Sequence, residues 1–252
     1  MEYFVRKDSI VREIWGKSDT VLFIFAGSAA EFALNKAVDW LYFTGRLPAD
    51  PLGRLFSTVS YARKIIFSKN ETALKIIDSI YTIHKVVERN RADTIPDWAY
   101  RDVLYMLIHY SIASYELLER KLSLSEKEEV YDVFYRFGQR MKLKDLSPGY
   151  EDWLIQRQTD MDNDLEKSTY TTDLFKQYKK HLGSIRYFIL IEGQKLIIPG
   201  KVRLLLGFSK FSFLILILPF YKLSRFIHLD NALKRLLLPK KYEKQIKEID
   251  VS

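Results

Sequence analysis

His84 is the residue of this sequence with the most chemistry open to it. Across residues 71–89 the apolar side chains Ala73, Ile76, Ile77, Ile80, Ile83 and Val87 recur at helical spacing, and His84 falls inside their arc. A neutral imidazole there must pair its ring N–H, and it either satisfies both nitrogens within the core or offers one to a metal. Spacing alone favours the core histidine. His109 shares a mixed face with Tyr105, Ile112 and Glu116; it reads as a supporting structural residue, with axial ligation of a metal as the fallback. Arg54, Ser57 and Thr58, spaced by three and four, occupy one helical face, with Tyr61 a turn further on. A guanidinium and hydroxyls so placed can clamp a carboxylate, although the same pattern also builds an ordinary exposed polar face.

Other chemistries are excluded. The chain has no cysteine, which removes disulfides, iron–sulfur clusters, thiolate nucleophiles and thiolate haem ligation. Asp160-Met-Asp162-Asn-Asp164 begins like a calcium loop, but Leu165 stands where the turn glycine belongs and Thr171 where the closing glutamate belongs. A negatively charged helix start or loop explains it better. Glycine-rich phosphate loops, HExxH and a serine elbow are absent.

These side chains need helices to hold them, and helical spacing dominates almost everywhere. Ten glycines and seven prolines in 252 residues are too few for the many tight turns of an all-β protein. Asp50-Pro51 predicts an N-cap followed by proline at the first helical position, opening a helix to about 67. Asn70 reads as the cap of the next, about 71–89. Pro96-Asp97 starts a third, about 98–121, which is apolar nearly all round and therefore central. Ser125-Glu-Lys-Glu128 reads as a capping box opening a fourth, to about 142. Ser147-Pro-Gly149 breaks the chain; helical segments follow at about 151–166, 171–182, 184–198 and 201–218, and a basic helix from Asp230 is interrupted at Pro239. The expectation is an all-α protein: one domain over residues 8–210, and an apolar, then basic, amphipathic helical extension over 211–252 packed on it.

Charge is distributed unevenly. Residues 201–252 hold 11 Lys/Arg against 4 Asp/Glu, whereas the first 200 hold 29 against 28. The excess flanks the apolar run Phe211–Tyr221 instead of forming a basic face interleaved with stacking aromatics, so no nucleic-acid partner is expected. That run is too short to span a bilayer and contains Pro219. It reads either as a buried helix with solvated ends or as peripheral membrane contact through residues 208–252. Glu2, Asp8 and Glu13 precede the first apolar run, Val21–Phe25, which argues against a secretory leader. The expected location is cytoplasmic, peripheral at the inner membrane face.

The order Asp50-Pro-Leu-Gly-Arg54-Leu-Phe-Ser-Thr58, then Ile83-His84-Lys-Val86, then Trp98 and Tyr115-Glu-Leu, resembles one family. It is that of the latex-clearing proteins (rubber oxygenases) and the endoplasmic-reticulum oxygenase of mycophenolic acid biosynthesis. The similarity covers roughly residues 8–210, and its core is Arg-x-x-x-Thr with a histidine 26 residues after the threonine. The resemblance implies a globin-like helical fold holding haem b, with His84 as the proximal iron ligand and Arg54 and Thr58 in catalytic positions at the haem pocket. Ser57 and His109 complete the cofactor-binding set. It further implies a haem-dependent oxygenase that acts with dioxygen on a lipophilic, isoprenoid-like small molecule. The alternative is a non-catalytic haem- or lipid-binding protein at the membrane surface. Three departures stand out: Ser57 occupies the place of a lysine in the rubber oxygenases, the His-Pro pair common near the first core helix is missing around Phe25–Ala30, and the acidic residue proposed there as a base has no matching counterpart, Asp39 and Glu31 being the candidates.

Overall fold

Local sequence sets several helix starts. Asp50 accepts a hydrogen bond from the Gly53 amide (3.1 Å) and, with Pro51 behind it, opens a helix as its residue types predict. The computed structural model describes residues 2–45 and 49–226, and these fold into a single compact all-α domain. In chain order the helices are α1 (Ile10–Gly16), α2 (Ser18–Phe32), α3 (Val38–Phe43), α4 (Pro51–Phe67), α5 (Asn70–Arg91), α6 (Asp97–Leu118), α7 (Leu124–Arg140), α8 (Tyr150–Asp164), α9 (Thr169–Ile197), α10 (Gly200–Leu206) and α11 (Leu214–Phe226). No strand occurs among the described residues; two isolated bridges, Tyr3 with Lys69 and Asn35 with Leu165, tie down extended pieces. The helix expected from Asp230 lies outside the described residues.

The centre of the molecule is the pair α2 and α6, which α1, α7, α8 and α9 surround. Helix α6 buries Leu104, Tyr105, Met106, Ile108, Tyr110 and Tyr115, as a helix apolar nearly all round must. The pair approaches closely at Gly27, where a Cβ would stand 2.3 Å from the Tyr110 ring. One buried polar tip is satisfied across elements: the Trp15 indole N–H donates to Ser111 Oγ at 3.1 Å.

Four sequence expectations need correction. The capping box of α7 is Ser123 with Glu126, two residues earlier than Ser125 with Glu128. The Leu-Ser pair repeats there, and Leu122 is buried, which fixes the earlier register. Helix α5 is preceded by Lys69 rather than capped by Asn70. The segment expected as one helix over 201–218 is two, because Gly207 takes the left-handed conformation (φ 71°) that ends α10. Asp160 to Asp164 closes α8 instead of starting a helix. The break expected between 182 and 184 is present as a kink in α9 at Gly183, whose φ 74° and ψ 169° belong to a region reserved for glycine.

Candidate functional site

Helices α2 to α7, with Tyr178 of α9, enclose a cavity of about 360 Å³, within the range of small-molecule pockets. Its walls are mainly apolar, with Phe25, Trp40, Ile65, Leu104, Met106 and Phe134 among them. The polar groups that reach it are few: Ser28, Arg54, Thr58, Tyr61, His84, Tyr100 and Tyr178. No carboxylate lines it among the described residues. Ile83 of α5 and Val103 of α6 line the cavity and are themselves exposed, which puts its mouth between those helices.

The spacing of Arg54, Thr58 and Tyr61 places all three on the cavity side of α4. Ser57 is exposed and off the wall, because one residue's rotation turns it away from its neighbour. The Thr58 hydroxyl donates to the Arg54 carbonyl one turn back (3.2 Å), a bond internal to the helix that a ligand would compete with. His84 comes from the facing helix. Its Nδ1 is buried and makes no well-aligned hydrogen bond, and the Ile80 carbonyl one turn back on the same helix is its nearest acceptor. Burial first, then the Arg54 cation, lowers its pKa to about 4, so the imidazole is neutral at ordinary pH. Neutral imidazole is the form that binds a metal.

Two residues that the sequence reading missed orient that ring. Tyr100 meets His84 edge-on, with ring centroids 5.2 Å apart. Its hydroxyl donates to Glu88 Oε1 (3.1 Å), and the buried Glu88 also accepts from the Ile95 amide (3.2 Å) and Lys85 Nζ (2.6 Å). The signal was present: Glu88 follows His84 by four residues and therefore shares its face. Half-buried Ser28, whose buried Oγ has no partner, is a third missed residue, hidden within an apolar run.

His109 lies elsewhere. It packs edge-on against Tyr110 at 4.9 Å and near the Ile197 carbonyl, away from the cavity wall, where burial and the Arg157 charge lower its pKa. The two candidate bases are also off the wall and are ion-paired. Glu31 accepts from Arg157 (2.7 Å) and from the Tyr110 hydroxyl (2.8 Å), and Asp39 accepts from Arg91 (2.7 Å).

One further cluster has metal-ligand chemistry. Oxygens of Asp102, Asp160 and Asp164 lie within 4.8 Å of one another. Arg101 forks onto Asp160 (3.1 and 3.2 Å), Gln156 donates to it (2.7 Å), and Asn35 donates to Asp102 (2.7 Å). The cluster is therefore an ion-pair node joining α6 to α8. Burial and the Asp164 charge raise the Asp102 pKa to about 7.

The cavity fits a haem on three counts. It is walled by apolar side chains, it has one neutral, half-buried imidazole in its wall, and it has a guanidinium and a hydroxyl on the facing helix for acidic substituents of the macrocycle. No helix among the described residues is long and apolar enough to cross a membrane. Neither the curated proteins nor the solved structures contain a significant match to the chain. Residues 15–227, however, match the family model described as "ER-bound oxygenase mpaB/B'/Rubber oxygenase, catalytic domain".

Proposed function

The chain belongs to this oxygenase family, and from that premise we propose a haem b-dependent oxygenase acting with dioxygen on a lipophilic, isoprenoid-like small molecule. The single observation that carries the haem assignment is the half-buried, neutral His84, its Nδ1 buried, at the wall of an apolar cavity. His84 would hold the iron, with Tyr100 and the Ile80 carbonyl orienting the ring. Arg54 and Thr58 would hold the acidic edge of the macrocycle or the substrate's polar end. When bound, the haem supplies the redox chemistry with dioxygen.

The residues of the chain bind, orient and exclude water. Apolar walls favour a polyene over water and keep the reacting centre dry. The nearby Arg54 cation disfavours protonation of His84 and so preserves its donor lone pair. The lipophilic substrate would be collected from membrane, with residues 208–252 as the contact, and the proposed location is the cytoplasmic face of that membrane. The proposed division of the chain keeps 8–210 as the oxygenase domain and 211–252 as its extension.

Haem supplementation of the purified protein is expected to give a Soret band that His84→Ala abolishes. No band after supplementation, or an undiminished one in the variant, would overturn the haem assignment. A second reading, a non-catalytic haem or lipid carrier, is favoured by one observation: no carboxylate faces the cavity among the described residues, since Glu31 and Asp39 are held by arginines. It predicts a bound ligand without oxygen consumption when a polyprenyl substrate is added.

A further inference from the structure

We infer that residues 211–223 form a docking face that lies in the surface of a bilayer carrying anionic lipids. The inference deepens the membrane part of the proposed function and is independent of its haem part.

The observation is an apolar surface held in place with its greasy side outward. Phe213, Ile215, Leu216, Ile217, Phe220 and Leu223 are all at least half exposed, Phe220 at 73%. A contiguous apolar surface of that kind marks a binding face. It is not a loosely attached segment. At its start, the buried Glu192 carboxylate accepts from the Phe213 amide (2.7 Å), and the buried Ser212 hydroxyl donates to the Glu192 carbonyl (2.8 Å). Further along, the Tyr221 hydroxyl donates to Asp19 of α2 (3.0 Å). Both ends of the segment are thus latched to the body, and the latches fix which side faces out.

Charge selects the partner. Between residues 193 and 226 the sequence has six Lys/Arg and no Asp/Glu. Lys210 and Lys222 bracket the apolar face, and neither has an ion-pair partner among the described residues. An apolar strip rimmed by cations matches the boundary between acyl chains and negatively charged headgroups. A protein groove that takes an apolar helix offers no reason for a rim of one sign. Length fixes the mode: α11 has 13 residues, about 20 Å of helix against the roughly 30 Å hydrocarbon core, so it lies in the interface and does not span it.

The test uses the full chain with vesicles of phosphatidylcholine alone and of phosphatidylcholine mixed equally with phosphatidylserine. The protein is expected to float with the mixed vesicles, less so at high salt. Leu216→Gln with Phe220→Gln is expected to weaken partitioning about a hundredfold. Lys210→Glu with Lys222→Glu is expected to remove the preference for phosphatidylserine. A chain that floats with neither vesicle, or a Gln pair that floats like the parent, overturns the inference. Because the chain has no cysteine, Leu216→Cys carries a polarity-sensitive dye at one site without disturbing the core. The dye should report water in buffer and an apolar medium once mixed vesicles are added. An apolar signal already in buffer would mean that the face is covered by the rest of the chain or by a second copy, and would likewise overturn it. None of these readouts depends on haem, whereas the Soret band needs no vesicle, so the two proposals fail separately.

Discussion

Two regions bury polar groups against the central α2/α6 pair, and they treat them differently. In the belt joining α2, α6 and α8, each buried charged side chain has a polar partner: Glu31 takes Arg157 and Tyr110, Asp160 takes Arg101, and Asp102 takes Asn35, with only Asp102 Oδ1 and Arg157 Nε left over. Around the cavity the few polar residues line an apolar void, and His84 Nδ1 and Ser28 Oγ have no hydrogen-bond partner. Buried polar groups paired with one another hold a fold together, whereas buried polar groups around an empty space await a ligand. The acidic belt is the denser collection of titratable groups, yet the cavity is the better site.

The largest effect that tests this contrast is removal of one partner from the belt. Glu31→Ala leaves Arg157 charged and buried, and should cost about 3–5 kcal/mol in denaturant unfolding. By contrast, His84→Leu should change stability by less than about 1.5 kcal/mol while abolishing haem uptake; equal losses in the two variants would erase the distinction. Gly27→Ala forces a methyl against the Tyr110 ring and should cost about 1–3 kcal/mol, read as a lower Tm.

Proton linkage sharpens the contrast further. The Asp102 carboxyl is raised to about 7 in the fold, so its contribution is present at low pH and lost as pH rises through 7. Asp102→Asn should therefore raise Tm at about pH 8 and leave it unchanged or lower at about pH 3. His84 runs the other way. Its pKa is depressed to about 4, so its neutral form contributes stability above the unfolded value, and that contribution is lost as pH falls toward 4. Haem loss on acidification should follow the same course, measured by the Soret band. The smallest effect is Ser123→Ala, which removes the cap of α7 and should cost about 1 kcal/mol.

Legibility in the sequence followed how local the determining physics is. Asp50-Pro51 and the apolar period of residues 73–87 set α4 and α5 through neighbours a few residues apart, and those segments are where the spacing predicts them. Arg54, Thr58 and His84 converge on one cavity for the same reason: each sits on a face that helical spacing defines. What was illegible depends on partners distant in sequence. The third carboxylate beside Asp160 and Asp164 comes from α6, and the bond from Tyr100 that closes the frame around His84 arrives from another helix. Repeated residue types also defeat spacing, as in the Leu-Ser repeat that moved the capping box by two residues. Likewise Gly207 was read through as helix although its backbone turns left-handed there.

Gly183 divides α9 into two rods joined at a single residue. The first rod brings Tyr178 to the cavity wall; the second carries Glu192, which grips the start of the apolar surface segment. The only covalent path along α9 from that segment to the cavity wall therefore runs through this residue. Nothing would collide with a side chain at this position, so the glycine is there for its torsion angles alone. Its backbone angles set the direction in which the rod holding the apolar surface segment leaves the rod that reaches the cavity.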